Sequence, residues 1–255
     1  MSGDIPFLRV RDLTVRFGGL TAVNGLSFDV ARGTIHALIG PNGAGKSTTF
    51  NCVSRYYQPS SGRIELEGRD ISRLAPHAMA GLGIARTFQN LELFAELSVR
   101  ENVLLGCHAH SARGLGRMMR PASGEITDFV DSLLEQVGLL PDRNALAREL
   151  DFGRQKMLEL ARALAIRPRL LLLDEPAAGL RNREIETLDR LLTQLAREQG
   201  ITVLLVEHVM RLVMAISNRV TVMSFGEKIA EGSPDEVSRD PRVIEAYLGK
   251  GVAGG

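Results

Sequence analysis

Apolar and polar residues alternate along the first third of the chain. The alternating apolar positions are Leu8, Val10, Leu13, Val15 and Phe17, then Leu26, Phe28 and Val30, and later Ile64 and Leu66. A period of two is typical of strands that bury one face. Gly18-Gly19 and Ser61-Gly62 separate these runs, as turns between strands do. We therefore expect a small antiparallel sheet here.

From about residue 92 to residue 166 the apolar positions recur every three or four residues instead. The fullest stripe is Ile126, Phe129, Val130, Leu133, Leu134 and Val137. Such a stripe predicts helices, and Ser98 and Glu101 have the spacing of a capping box at a helix start. Residues 108–123 interrupt the pattern and read either as a solvated loop or as a contact surface carrying Met118 and Met119.

In the last third, strand-like and helix-like segments alternate. Residues 170–173 and 201–206 are continuous apolar runs, as in parallel strands buried on both faces, and an amphipathic segment lies between them. This order predicts an α/β fold with a doubly wound core. We assign residues 1–90 and 160–255 to that core, which includes the antiparallel β subdomain. Residues 91–159 are then an inserted α-helical subdomain.

Composition narrows the class of protein. The chain has 255 residues, 44% of them hydrophobic and 24% charged, as in an ordinary globular protein. Its net charge of +1 gives no reason to expect nucleic acid as a partner. The chain has only two cysteines, Cys52 and Cys107, which are too few for a disulfide framework. This favours a protein of the reducing cytoplasm. No signal peptide or membrane-spanning run is evident, so we expect any membrane role to come through a partner.

Residues 40–48 match G-x-x-x-x-G-K-[ST], the phosphate loop called Walker A. The loop lies between an apolar run at residues 34–39 and a helix expected at residues 46–57. Its backbone N–H groups and the helix N-terminus favour phosphate, which predicts binding of ATP or GTP. The loop residues are Gly40, Pro41, Asn42, Gly43, Ala44, Gly45, Lys46, Ser47 and Thr48.

The apolar run at residues 170–173 ends in Asp174 and Glu175, which is typical of a Walker B strand. We expect Asp174 to hold Mg²⁺ through water, because Mg²⁺ favours carboxylate and phosphate oxygens and keeps its waters. Ser47 would supply a second oxygen to the metal. Glu175 is then placed to act as general base on the attacking water.

Three further features sharpen the interpretation. Residues 150–156 read Leu-Asp-Phe-Gly-Arg-Gln-Lys before a helix expected at residues 157–166, Gln89 lies in Arg-Thr-Phe-Gln-Asn at residues 86–90, and His208 follows an apolar strand. In order and spacing these resemble the signature motif, Q-loop and H-switch of the ABC-transporter ATPases. The resemblance covers about residues 8–249 and implies a P-loop NTPase core of the RecA-like type.

The resemblance implies roles for individual residues. Lys46 would bind the β- and γ-phosphates, and Thr48 the α-phosphate. Phe17 would stack on adenine, although its place in the alternating pattern also suits core packing. Gln89 would contact Mg²⁺ or the attacking water, and His208 the γ-phosphate. The implied catalytic set is Lys46, Gln89, Glu175 and His208, and the implied metal set is Ser47, Gln89 and Asp174.

In this family two chains enclose two ATP molecules, each signature facing the other chain's phosphate loop. The signature residues are Asp151, Phe152, Gly153 and Arg154. Asp151 replaces the usual serine, and its charge near phosphate would cost on the order of a few kcal/mol if unscreened. Either Arg154 offsets that charge, or Asp151 turns away and caps the following helix. Arg181 is a further departure, at a position where the family tends to have an acid or asparagine.

Four segments resemble the ATP-binding subunits of branched-chain amino acid importers: residues 17–23, 83–90, 207–214 and 243–249. That branch implies a second related ATPase, with a homodimer also open, two transmembrane permeases and, indirectly, a solute-binding protein. It places the chain at the cytoplasmic face of the bacterial inner membrane. Members of the branch also serve urea, amides and aromatic acids.

Three other classes stay open. Residues 86–90 and the glycine- and arginine-rich residues 108–123 argue against a lipid or lipopolysaccharide exporter. A soluble ABC switch protein tends to have a second nucleotide domain or a long coiled-coil insert, and neither is evident. The last class is a nucleotide-binding module with little turnover, against which Glu175 and His208 weigh.

Overall fold

Two β-sheets organise the part of the chain that this computed structural model describes, residues 5–108 and 124–248. Met118 and Met119 lie outside the described residues. Among the described residues, no helix has both the length and the apolar character needed to cross a membrane. Cys52 and Cys107 are free thiols, and burial raises the pKa of Cys52 to about 11.

The first sheet has four antiparallel strands in the order β2-β1-β4-β5. The strands are β1 (Leu8–Phe17), β2 (Leu20–Val30), β4 (Ser61–Leu66) and β5 (Arg69–Asp70). The register of β1 shifts between Val10 and Leu13, where Asp12 has a positive φ of 47°. This bulge keeps both Val10 and Leu13 buried although they are three residues apart. The predicted antiparallel sheet is confirmed.

The second sheet has six strands in the order β10-β9-β3-β8-β7-β6, all parallel except the edge strand β10. The strands are β3 (Ile35–Ile39), β6 (Ile84–Arg86), β7 (Leu170–Asp174), β8 (Thr202–Val206), β9 (Arg219–Ser224) and β10 (Glu227–Gly232). Every residue of β3, β7 and β8 is buried, as their continuous apolar runs predict. The carboxyl ends of these strands meet at one edge of the sheet.

Nine α-helices lie within the described residues. They are α1 (Lys46–Val53), α2 (Ala78–Gly81), α3 (Val99–His108), α4 (Gly124–Gln136), α5 (Phe152–Leu164), α6 (Asn182–Arg197), α7 (Met210–Ile216), α8 (Pro234–Arg239) and α9 (Pro241–Leu248). Short 3₁₀ turns occupy Leu140–Asp142 and Ala147–Glu149. The capping box before α3 is confirmed, because the side-chain oxygens of Ser98 and Glu101 accept each other's backbone N–H.

Two helix boundaries differ from the sequence-based expectation. The helix after the phosphate loop ends at Val53, not at residue 57, because the chain turns at Arg55 with a positive φ of 63°. The helix after the signature begins at Phe152 rather than at residue 157. Asp151 starts it early by capping its N-terminus, so the signature residues form the first turn of α5.

The second sheet lies between two hydrophobic clusters. Leu171 and Leu173 face one cluster, which includes Val130 and Leu158 of the helical segment. Leu170 and its alternate neighbours on β7 face the other cluster, which includes α1 and the antiparallel sheet. The helical segment and the sheet therefore share one continuous core. The division at residues 91 and 159 into separate subdomains stays a prediction.

Candidate nucleotide-binding site

The phosphate loop leaves the carboxyl end of β3 and enters α1, and two of its glycines, Gly40 and Gly45, have no room for a side chain. Gly45 caps α1 with a φ of 95°, and a Cβ there would lie 2.5 Å from the carbonyl oxygen of Ala22. A Cβ on Gly40 would lie 2.1 Å from the carbonyl oxygen of Met223. The loop thus packs directly on backbone from β2 and β9, which fixes the direction of its N–H groups.

Lys46 places a buried positive charge inside this loop. Its Nζ donates to the carbonyl oxygens of Gly40, at 2.7 Å, and Pro41, at 2.9 Å. Burial lowers the pKa of Lys46, and the carboxylates of Glu175 and Asp174 oppose that shift. An ammonium group has three donors, so one N–H remains for a phosphate oxygen.

A cleft of about 450 Å³ opens beside the loop. The residues that line it are Leu20, Thr21, Ala22, Asn42, Gly43, Ala44, Gly45, Lys46, Ser47, Thr48, Gln89, Glu175 and Phe225. Half of the predicted nucleotide-binding residues, residues 42–48, thus meet in one place, together with Gln89 and Glu175. Phe17 is not among the lining residues; its half-exposed ring packs edge-on against Tyr57, with the centroids 5.5 Å apart. Phe225, at the β9–β10 turn, is a lining residue that the sequence did not single out.

Asp174 and Glu175 project from the end of β7. Asp174 is buried, and burial raises the pKa of its carboxyl group while the guanidinium of Arg86 opposes the shift. Glu175 has a positive φ of 48°, and its N–H donates to the carbonyl oxygen of Val206 at 2.9 Å. Such a conformation costs on the order of 1–3 kcal/mol, and it turns the Glu175 side chain into the cleft.

Two of the predicted catalytic residues converge on a carboxylate oxygen of a third, Glu175. Gln89 Nε2 donates to Glu175 Oε2 at 3.3 Å, and His208 Nδ1 lies 3.7 Å from the same oxygen. Gln89 follows β6, Glu175 follows β7 and His208 follows β8, so the adjacency of three strand ends produces the cluster. His208 is 54% exposed, which leaves it free to reach a ligand in the cleft.

Glu207 supports this cluster from beneath and was given no role by the sequence. Its side chain is fully buried, and its Oε1 accepts the N–H of Ala177 at 2.8 Å. Its Oε2 accepts the N–H groups of His208, at 2.8 Å, and Val209, at 2.9 Å. One carboxylate therefore joins the loop after β7 to the loop after β8. The only sequence signal was an acidic residue directly before the switch histidine.

The donor set suits Mg²⁺. Ser47, Gln89 and Asp174 offer oxygen atoms, which hard cations prefer. Among residues 5–108 and 124–248 no group of three or more His, Cys, Asp or Glu side chains is arranged to hold a metal alone. A cation at this site would therefore take further oxygens from a bound nucleotide and from water.

The signature residues do not line the cleft. Asp151 Oδ1 accepts the backbone N–H of Arg154 at 2.9 Å, so the capping alternative for Asp151 is confirmed. The guanidinium of Arg154 pairs with Asp142 rather than with Asp151. Phe152 and Gly153 lie in the first turn of α5, where backbone N–H groups have no partner within the helix.

A larger cleft, of about 1040 Å³, lies at the other end of the strands, beside the start of β3. Five cationic side chains and two carboxylates line it, and both carboxylates are paired: Asp29 with Arg11 at 2.8 Å, and Glu231 with Arg219, at 2.8 Å, and with Lys228, at 2.6 Å. The chemistry of the phosphate-loop cleft favours that smaller cleft as the functional site.

Comparisons with known proteins show the family of this chain. Residues 23–178 match the ABC transporter family, and residues 227–253 match the branched-chain amino acid ATP-binding cassette transporter family. The chain is 44% identical over 251 residues to the high-affinity branched-chain amino acid transport ATP-binding protein BraF of Pseudomonas aeruginosa, covering 96% of this chain and 98% of BraF.

Solved structures show the same fold. The ADP conformation of MJ1267, an ATP-binding cassette of an ABC transporter, superposes with a TM-score of 0.86 at 32% identity, covering 96% of this chain and 99% of MJ1267. The dimeric structure of MJ0796, a bacterial ABC transporter cassette, gives a TM-score of 0.79 at 25% identity, covering 89% and 98%. The α/β P-loop NTPase fold is confirmed. This chain belongs to the ABC transporter family, as one of its ATP-binding cassettes, and is an ATPase.

Proposed function

We propose that this chain hydrolyses ATP to power the uptake of branched-chain or related hydrophobic amino acids through membrane permeases. The convergence of Gln89 and His208 on Glu175 beside the phosphate loop carries the catalytic part of the proposal. The solute follows from BraF, which is a branched-chain amino acid transport protein, and from the match of residues 227–253 to that branch.

The nucleotide lies along the phosphate loop in this proposal. Lys46 binds the β- and γ-phosphates through its remaining donor, and Thr48 binds the α-phosphate. Phe17, which lies outside the residues that line the cleft, is the proposed stacking partner of adenine. When bound, Mg²⁺ neutralises charge on the phosphate oxygens, and Ser47, Gln89 and Asp174 are the residues that would hold it.

Hydrolysis then depends on Glu175. Its carboxylate accepts a proton from the water that attacks the γ-phosphorus. Gln89 orients that water, and His208 contacts the γ-phosphate. Glu207 holds the backbone N–H of His208, which restrains the main chain at the switch histidine.

A second cassette completes the site. Asp151, Phe152, Gly153 and Arg154 lie outside this chain's own cleft, which supports a role toward a partner's ATP, and the dimeric MJ0796 cassette supports the pairing. We propose a heterodimer, because a charged residue at position 151 then weakens only one of two sites. The assembly would include two permeases and, indirectly, a solute-binding protein, at the cytoplasmic face of the bacterial inner membrane.

Affinity capture with the Glu175→Gln variant in Mg-ATP tests this proposal. Without its base, the variant should hold ATP and remain in the closed assembly, so mass spectrometry identifies the captured partners. We expect polytopic membrane proteins and a second ATPase. Glu65→Gln is the control, because Glu65 lies on β4 in the antiparallel sheet. This variant keeps its general base, so it should hydrolyse ATP and release its partners. Recovery of this chain alone, or of soluble proteins only, would contradict the proposal that the chain is part of a transporter.

A further inference from the structure

Arg86 connects three elements that carry nucleotide motifs. It is the last residue of β6, three positions before Gln89, and its side chain is 12% exposed. The guanidinium lies between two aromatic rings, 4.9 Å from the centroid of Phe50 on α1 and 5.0 Å from that of Phe88. Stacking of this kind holds the plane of the guanidinium in one orientation.

The two terminal nitrogens of Arg86 donate to different elements, whereas its buried Nε has no hydrogen-bond partner among the described residues. Nη2 donates to Oδ2 of Asp174 at 3.0 Å. Nη1 donates to Oδ1 of Asn51 and to Oγ of Ser54, both at 2.6 Å. Asn51 lies on α1 and Ser54 is its C-terminal cap residue, so the helix that follows the phosphate loop holds Arg86, and Arg86 holds Asp174. A lysine, with one nitrogen, cannot span these partners in the same fixed plane.

We propose that Arg86 is a positioning residue for the magnesium site. It occupies Oδ2 of Asp174, while Oδ1 accepts no hydrogen bond from any residue that the structure describes. The free oxygen is therefore the one presented to the metal's water shell. The inference rests on the proposed magnesium role of Asp174. It goes beyond that role because it assigns to Arg86 the orientation of a carboxylate that the Walker B sequence alone leaves undefined.

Arg86 makes more hydrogen bonds than it needs to compensate the charge of Asp174. Asp174 is buried, so one guanidinium donor would compensate its charge. The two additional 2.6 Å contacts to Asn51 and Ser54 fix the position of the guanidinium relative to Ser47, another of the proposed metal ligands, which lies on the same helix. Removal of such outer partners of a metal ligand typically weakens metal affinity by about 10–100-fold.

The test measures affinity of the full chain for N-methylanthraniloyl-ATP with Mg²⁺ and with EDTA. Arg86→Lys keeps the charge and removes the fork. The double variant Asn51→Ala/Ser54→Ala leaves Arg86 and Asp174 intact and removes only the anchor. Arg169→Lys is the matched control, because Arg169 also pairs with a carboxylate, Glu67, and lies over a phenylalanine ring, Phe7, away from the cleft.

Mg²⁺ should increase the affinity of the chain for the labelled ATP above the affinity in EDTA. We expect the Mg²⁺ concentration that produces half of this increase to rise about tenfold in Arg86→Lys, and less in the double variant. Affinity in EDTA should stay at the wild-type value in both, and Arg169→Lys should match wild type throughout. An unchanged Mg²⁺ requirement in Arg86→Lys would overturn the inference, as would an equal loss of affinity in EDTA. If the wild-type chain gains no affinity from Mg²⁺, the proposed role of Asp174 fails as well.

Discussion

Asp151 departs from the family signature, and it caps α5 in a way that a serine could also do. Serine and aspartate are both favoured N-cap residues, and the Asp151 side chain accepts the N–H of Arg154 as a cap should. The sequence allowed two arrangements of this residue, in which either Arg154 offsets its charge or its side chain caps the helix. The structure confirms the cap. What the carboxylate changes is charge, at a position proposed to face a partner's nucleotide.

Asp151→Ser should therefore preserve stability and raise ATP turnover by the assembled complex. The serine keeps the cap and removes a negative charge near phosphate, whereas Asp151→Ala should lose about 1 kcal/mol of unfolding free energy. Urea unfolding of the chain and phosphate release by the complex measure the two effects. Equal or lower turnover in Asp151→Ser would contradict the proposed repulsion.

At the scale of elements, the sequence was informative wherever one short pattern determined the outcome. Continuous apolar runs identified β7 and β8, and the glycine loop with Lys46 identified the phosphate site. Contacts between distant segments could not be read from such patterns. Arg86 and Asp174, for example, are 88 positions apart in the sequence. Phe225 reaches the cleft because the β9–β10 turn packs on the phosphate loop, where the N–H of Gly226 donates to the carbonyl oxygen of Ala44.

Glu207→Ala should destabilise the chain strongly, because it separates two elements that one carboxylate joins. The backbone N–H groups of Ala177, His208 and Val209 would lose their acceptor, at about 1 kcal/mol or more for each. Glu207→Gln keeps one acceptor oxygen and should fall between the alanine variant and wild type. Urea unfolding measures the difference, and a wild-type midpoint in Glu207→Ala would show that water replaces the carboxylate without loss.

For the whole molecule, one identifiable contributor to acid sensitivity lies near the start of β3, outside the residues that line the phosphate-loop cleft. His36 on β3 is buried, its Nε2 lies 2.9 Å from Oγ1 of Thr221, and its pKa is lowered to about 4, first by burial. The unfolded chain binds a proton at this residue below its ordinary pKa of about 6.5, whereas the folded chain does not until about 4. The His36 contribution to stability is thus complete above pH 6.5 and is lost as pH falls toward 4.

Unfolding free energy should decrease by about 3 kcal/mol between pH 6.5 and pH 4 through His36 alone. Carboxylates titrate in the same window, so the comparison with His36→Gln isolates the histidine. Glutamine can still pair with Thr221 and binds no proton, and the variant should have a flatter pH dependence in denaturant unfolding. Parallel curves for the two proteins would show that His36 already titrates normally in the folded state.

The most direct test of the central claim is uptake of labelled leucine by proteoliposomes that contain this chain and the partners captured with Glu175→Gln. The account predicts uptake that requires ATP in the vesicle lumen, on the side of the membrane where the cassette lies. It predicts no uptake with Glu175→Gln, although the same complex assembles. It would be contradicted by ATP hydrolysis without uptake of leucine, isoleucine or valine, or by uptake that Glu175→Gln leaves intact.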